Sequence, residues 1–359
     1  LLLYKKIIYP CFETTEELSL KKKAQLTSGK PPIYDRSSLQ LSKEKIAKFI
    51  KEGRKPHWRF KLKDSLIEWN DLIKGKVSFD SKNLSDPVLI REDETLLYHL
   101  PSVIDDIEEQ ITDIIRGEDH ISNTAFHIQI FESLDAKIPN FGHHPFLTDS
   151  EGKGFGKRLG SLSLNQIRED DFESISVLNY LLNIGTSNNL TTELNKKLLV
   201  EFFDIKNISS SSPKFSIDTL KSLNSDILKL FTFEEVKDKF KKLDIDYKNS
   251  NFWNFVKNNI NFFNECVVWL EVINNSNPYD DIDLTFLNKA YEVLPLEPYN
   301  EESWDIWIAL IKKKTSRQGK DLFMPLRKAL TGKLKGPELK LLLPLLNRQY
   351  IKKKFGIID

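Results

Sequence analysis

The stretch EGKGFGKRLGSLSL, Glu151 to Leu164, sets four glycines beside Lys153, Lys157 and Arg158. Glycines let a backbone reach positive φ and move freely. A lysine and an arginine at the end of such a loop can reach phosphate oxygens. The spacing is not the GxxxxGK[ST] of a P-loop, nor a GxGxxG that opens a helix after a strand. By residue type the loop reads equally as a phosphate site or as a surface hairpin with solvated charges. Upstream, Arg116 ends the strand-like TDIIRG (112–117). Its planar fork suits a carboxylate held bidentately; an ion pair with Asp113 or Glu118 is the structural alternative. His143 and His144 have the chemistry of metal ligands, but no third ligand follows at a useful spacing. Cys11 and Cys266 are too few and too far apart for a disulfide framework or a zinc site.

These residues need elements to hold them. PVLIRED (87–93) and TDIIRG (112–117) read as short strands ending in charge, and NFGHHPFLTD (140–149) as a strand and turn. HISNTAFHIQIFESL (120–134) reads as an amphipathic helix with Ile121, Ala125, Ile128 and Leu134 on its apolar side. No glycine occurs between Gly185 and Gly319, and that interval, rich in Leu, Lys, Glu, Asn and Phe, reads as mostly helical. The fold class is therefore α/β followed by all-α, with the break shortly after the glycine loop. Trp304 and Trp307, three apart on a helix-like segment, should pack inward.

Composition bounds the class. With 359 residues the chain can build two or more cores, and 40% apolar with 29% charged residues is the range of a soluble globular protein. No apolar run approaches the ~18 residues that span a bilayer. The thiol usage suits a reducing, cytoplasmic compartment. Net charge is only +1, yet from Ile311 onward fourteen Lys and Arg face three Asp and Glu. That is the footprint of a polyanion binder, or of a solvated basic tail. The chain begins at Leu1 and holds one methionine, Met324. The expectation is that an N-terminal part of the natural protein precedes it.

Eight stretches carry a family resemblance. They are YPCFETTEEL (9–18), KPPIYDR (30–36), VSFDSKNLSDPVLIRED (77–93), YHLPSVIDDIEEQITDIIRGEDHISNT (98–124), HHPFLTDSEGKGFGKRLGSLS (143–163), LNYLLNIGTS (178–187), PKFSIDTLKSLN (213–224) and PLRKALTGKLKGPEL (325–339). In this order they resemble the bacterial glutamyl-tRNA synthetases, class I aminoacyl-tRNA ligases, in their alphaproteobacterial form. The resemblance implies a partial Rossmann-like catalytic domain with an acceptor-end-binding insertion at 1–93 and its second half at 94–157. A helical stem-contact domain at 158–232 and an all-α anticodon-binding domain at 233–359 would follow. It implies a KMSKS-type loop at Gly154, Phe155, Gly156, Lys157 and Arg158, with Lys157 neutralising the phosphates of ATP. Here Gly156 replaces the family serine and Gly154 its lysine. Tyr98, Ser102 and Arg116 would hold glutamate, Ser102 standing where many relatives have asparagine. Asp119, His120, Phe146 and Leu147 would line the ATP site; by residue type alone His120 is as well read as a helix-start residue.

The implied reaction joins L-glutamate to tRNA-Glu, with tRNA-Gln a further substrate in some relatives, using ATP with Mg2+. No zinc is expected, because Cys11-Phe12-Glu13 stands where zinc-bearing relatives have CxC. A monomer, with no membrane partner, is the family expectation. Glu94 replaces the family's glycine in the turn before Tyr98. The HIGH-type motif would lie upstream of residue 1, within a missing segment of ~100 residues, so that residues 1–359 alone would not form the adenylate. Three rivals remain: a relative that glutamylates a tRNA base, a glutaminyl enzyme, and a non-catalytic tRNA-binding paralogue. The first lacks the helical C-terminal region and the second has a β-barrel there. The third would suit the weakened GFGKR loop.

Overall fold

A computed structural model describes residues 5–154, 163–186, 192–243 and 250–357. The chain divides into two units. Unit 1 comprises residues 1–154 together with two later returns of the chain, 185–187 and 204–214; unit 2 holds the rest.

Unit 1 is built on short strands. β1 (Ile8–Cys11), β2 (His57–Phe60) and β5 (Val88–Ile90) form one antiparallel sheet in the order β1-β2-β5. β3 (Leu66–Asp71) and β4 (Gly75–Asp80) form a hairpin, with Gly75 at φ +73 in its turn. That turn requires a left-handed residue, which glycine supplies without a Cβ penalty. β6 (Asp113–Gly117) and β7 (Asn140–His144) run parallel, in register from Asp113 opposite Asn140 to Gly117 opposite His144. A parallel pair needs a crossover, and helix α4 (Ile121–Ser133) supplies it. The hairpin docks beside this pair through the Leu72 N–H, which donates to the Phe141 carbonyl at 2.8 Å.

α4 corrects the amphipathic reading. Thr124, Ala125, His127, Ile128, Gln129, Ile130, Phe131 and Ser133 are all buried, so the helix is enclosed on more than one face. Gln129 is satisfied across elements, accepting from the Lys63 N–H and donating to the Lys63 carbonyl. Phe60, Leu62, Leu89, Val103, Ile130 and Phe131 share the core around it.

The turn between β5 and helix α3 (His99–Glu108) places Glu94 at φ +68, left-handed backbone where a glycine is at ease. Tyr98 follows as the residue that opens α3.

Unit 2 is helical among the described residues, from α5 (Leu164–Glu169) to α16 (Arg348–Lys354). Capping boxes start two helices, Thr232 with Glu235 ahead of Phe233–Lys242 and Asn300 with Ser303 ahead of Glu301–Thr315. Trp304 and Trp307 face inward, as their spacing predicts, and the Trp307 indole donates to the Ala290 carbonyl at 2.8 Å. Trp253, Phe252, Phe255 and Phe286 are buried in the same core. Among the described residues no helix is long and apolar enough to cross a membrane.

Candidate active site

Arg116 sits near the carboxyl end of β6, where ligands bind in open α/β sheets. Neither carboxylate suggested as its ion-pair partner takes it: Asp113 accepts from Asn140 at 2.9 Å, and Glu118 pairs with Lys74 at 2.6 Å. Three neutral groups hold the guanidinium instead. One terminal N–H donates to the Tyr98 hydroxyl at 2.9 Å, the other terminal nitrogen to Thr124 Oγ1 at 2.7 Å, and Nε faces His143 Nε2 at 3.4 Å. Burial lowers the guanidinium pKa from its ordinary value, with the Tyr98 hydroxyl offsetting part of that. Arginine carries five N–H donors. Among the described residues three are used, which leaves one on each terminal nitrogen. Two donors, one from each terminal nitrogen, are the number that a bidentate grip on a carboxylate takes.

Tyr98 is half-exposed at the mouth of this group. Its ring lies 5.4 to 5.7 Å from the imidazoles of His99, His127 and His120. His99 Nδ1 and His127 Nε2 are 3.1 Å apart, at hydrogen-bond distance. His127 is fully buried; burial first, then the charges of Arg116, His99 and His120, lower its pKa to about 3. Ser102 lies one turn along α3 from Tyr98, whose carbonyl accepts from the Ser102 N–H at 3.1 Å.

The expected nucleotide residues gather at the end of the β6–β7 pair. A Cβ at Gly117 would stand 2.7 Å from an Asp119 carboxylate oxygen, the movable end of an exposed side chain, and 3.4 Å from the Phe146 ring. Asp119 and Phe146 thus both lie beside Gly117, and both are exposed. His120 joins Asn123 through Nδ1 at 3.0 Å and makes no side-chain cap to α4. Leu147 is half-buried next to Phe146. Beyond it, Asp149 closes a tight turn by accepting from the Glu151 and Lys153 N–H groups. Gly154 bridges back to Thr148 and has open space around its Cβ position. Phe155, Gly156, Lys157 and Arg158 lie outside the described residues.

The sequence reading missed the groups behind Arg116. Asp71 and His143, both with fully buried side chains, meet at 2.5 Å between Oδ2 and Nδ1. Thr124 Oγ1 stands 2.9 Å from His143 Nε2. His143 was weighed only as a metal ligand. The one available signal was Asp71 at the end of an alternating segment, Ile67 and Trp69 against Val77 and Phe79, before the turn at Gly75. Cys11, the other metal candidate, is buried; Tyr34 donates to Glu13 at 2.8 Å with Cys11 Sγ 3.6 Å away, and Ser38 bridges to the other Glu13 oxygen at 2.7 Å. Among the described residues no three His, Cys, Asp or Glu side chains cluster as metal ligands.

A half-buried arginine at the end of a parallel β–α–β unit, with an exposed acid and aromatic nearby, has the chemistry to hold a small carboxylate. Residues 1–222 match the family of tRNA synthetases class I (E and Q), catalytic domain. Glutamate–tRNA ligase 2 of Bartonella bacilliformis is 46% identical, over 96% of this chain and 79% of that protein. Glutamate–tRNA ligase 1 of Rickettsia bellii is 42% identical, over 99% of this chain and 80% of that protein. The fold is that of the glutamate–tRNA synthetase of Elizabethkingia anophelis, at a TM-score of 0.81, 22% identity, and coverage of 99% of this chain and 80% of that one. A glutamate tRNA ligase of Elizabethkingia meningosepticum, solved with its amino acid, superposes at 0.83 with the same identity and coverage. The chain belongs to the glutamate–tRNA ligases of class I.

Proposed function

We propose that this protein activates L-glutamate with ATP and transfers it to the terminal adenosine of tRNA-Glu, in the cytoplasm and as a monomer. An α-carboxylate oxygen of glutamate attacks the α-phosphorus of ATP and pyrophosphate leaves. A ribose hydroxyl of the terminal adenosine then attacks the activated carbonyl and AMP leaves. No covalent enzyme intermediate is needed; positioning and charge stabilisation carry the rate. Magnesium enters with the phosphates of ATP as part of that substrate.

The observation that carries the reading is Arg116, half-buried, held by neutral partners, and with one N–H to spare on each terminal nitrogen. A site built on that fork accepts glutamate's side-chain carboxylate and matches glutamine's amide poorly. Tyr98 braces the fork and Ser102 stands a turn away on the same helix. Asp119, His120, Phe146 and Leu147 border ATP, and the loop Gly154–Arg158 closes over it with Lys157 on its phosphates. In this reading residues 1–93 receive the acceptor end, 94–157 complete the catalytic fold, 158–232 contact the tRNA stem, and the basic region after Ile311 within 233–359 meets the anticodon arm.

The test is charging of separate tRNA-Glu and tRNA-Gln transcripts with labelled glutamate by the intact gene product. Arg116→Ala gives up two charge-assisted bonds of about 1.5–3 kcal/mol each. The expected fall in kcat/KM for glutamate is therefore roughly 10²- to 10⁴-fold. Lys157→Ala is expected to abolish charging with tRNA binding retained. Binding of tRNA with no charging by the wild type would make the protein a tRNA-binding paralogue, and the tRNA profile decides whether tRNA-Gln is also a substrate.

A further inference from the structure

Hydrogen-bond direction behind Arg116 can be worked out from its inner end. Asp71 is fully buried, and burial alone would raise its pKa. The bonds from His143 and from the N–H groups of Lys74, His143 and Ile73 outweigh that and hold it below its ordinary value. An ionised Asp71 only accepts, so His143 Nδ1 must donate. Burial, with the Arg116 charge adding to it, keeps His143 from taking a second proton, against the pull of Asp71. Neutral His143 then presents a lone pair on Nε2. Thr124 Oγ1 already accepts from Arg116 at 2.7 Å; its own proton has two acceptors in reach, that lone pair at 2.9 Å and the His120 carbonyl at 3.3 Å, and the shorter bond is the one to His143. The Arg116 Nε–H approaches the same atom at 3.4 Å. One donor from each of Arg116, Thr124 and His143 can thus be ordered inward, toward the Asp71 carboxylate.

Asp71 has a second attachment. Its Oδ1 accepts from the N–H groups of Ile73 and Lys74, which close the β3–β4 turn, and from the His143 N–H on β7, each at 3.0 Å. One carboxylate thus fastens the hairpin, the strand and the far end of the arginine's bond chain.

We propose that Asp71 and His143 are positioning residues for substrate glutamate: through Thr124 they fix the direction of the Arg116 fork and tie it to the β3–β4 hairpin. The inference rests on the proposed function, since it concerns the fork that reading assigns to glutamate. A guanidinium released from this chain keeps its charge but turns on a flexible stem, and small misplacements of a gripping group are costly.

The experiment compares Asp71→Asn, Thr124→Val, Thr124→Ser and Arg116→Ala with wild type, all in the intact gene product, in glutamate-dependent ATP–pyrophosphate exchange with tRNA present. Asp71→Asn turns an amide N–H toward His143 and so forces the other imidazole tautomer. Asp71→Asn and Thr124→Val are expected to raise KM for glutamate about tenfold or more, with KM for ATP held within about twofold. Thr124→Ser, which restores the hydroxyl, is expected to return KM for glutamate to within about threefold of wild type. Circular dichroism and thermal unfolding check the fold; should Asp71→Asn fail to fold, Thr124→Val decides, because it leaves every Asp71 bond in place. An unchanged KM for glutamate in folded variants, or a KM for ATP that rises in step, overturns the inference. If Arg116→Ala alone loses glutamate, only this inference falls; if wild type ignores glutamate, or Arg116→Ala uses it as well as wild type does, the proposed function falls and this inference with it.

Discussion

At Arg116 the sequence disclosed the donor but not its setting. A guanidinium at a strand end was visible because residue type and strand pattern are local. Asp71 and His143 are 72 positions apart, and nothing local tells that they meet. The histidines behind Tyr98 were equally hidden, and they carry a pH consequence. His127 has a folded pKa of about 3 and His57, lowered by burial first and then by Arg59, one of about 4. Both lie below the ordinary value near 6.5, so the unfolded chain binds these protons more readily. Their contribution is complete above pH 6.5 and is lost as the pH falls toward the folded values, at up to about 1.4 kcal/mol per pH unit for each. Glu13, held at about 2 because bonds from Ser38, Tyr34 and Ser37 outweigh its burial, adds a loss of the same sign only below its ordinary range. Urea unfolding at pH 7, 6 and 5 should show the decline, and His127→Leu should flatten it. An unaltered slope in that variant would show that His127 takes up no proton on unfolding.

At the scale of elements, the strands and helices around the site were legible where their pattern was local. β6, β7 and the extent of α4 follow from runs of apolar residues bounded by charge and turns. The burial of α4 did not, because it depends on what covers its second face, and Thr124, His127, Gln129 and Ser133 read as polar, hence exposed. The turn before Tyr98 was legible in a subtler way. Glu94 replaced a glycine in the family pattern, and the backbone keeps the glycine's conformation at φ +68. The turn holds by bonds from the Arg91 N–H to Thr95 and from the Glu94 N–H to Arg91. A non-glycine residue there costs about 1–2 kcal/mol, and glycine's extra unfolded freedom returns part of that. Glu94→Gly is therefore expected to stabilise the protein by roughly 0.5–1 kcal/mol. Thermal or denaturant unfolding checks this, and a destabilised variant would mean that the Glu94 side chain contributes more than its backbone costs.

For the whole molecule, the glycine-free interval after Gly185 disclosed an α/β part followed by a helical one, since composition follows secondary-structure class. What composition could not disclose is that the chain returns. Asp204–Lys214 belongs to unit 1 although helices of unit 2 precede and follow it. The Pro213 carbonyl accepts from the Thr148 N–H at 3.0 Å, Lys74 donates to the Ser210 carbonyl at 2.7 Å, and Ile205 lies against Gly142. Limited proteolysis within 192–203 should then give two pieces that co-elute on gel filtration and separate only in denaturant. Pieces that separate at once would show that these bonds do not hold the segment. The chain thus passes between the units more than once, and a gene cut at codon 154 would part unit 1 from a piece of itself. The first product would leave behind the eleven-residue thread that fastens its own hairpin and strand. Whatever shuffling of parts evolution or an engineer attempts here, the thread has to travel with the cloth.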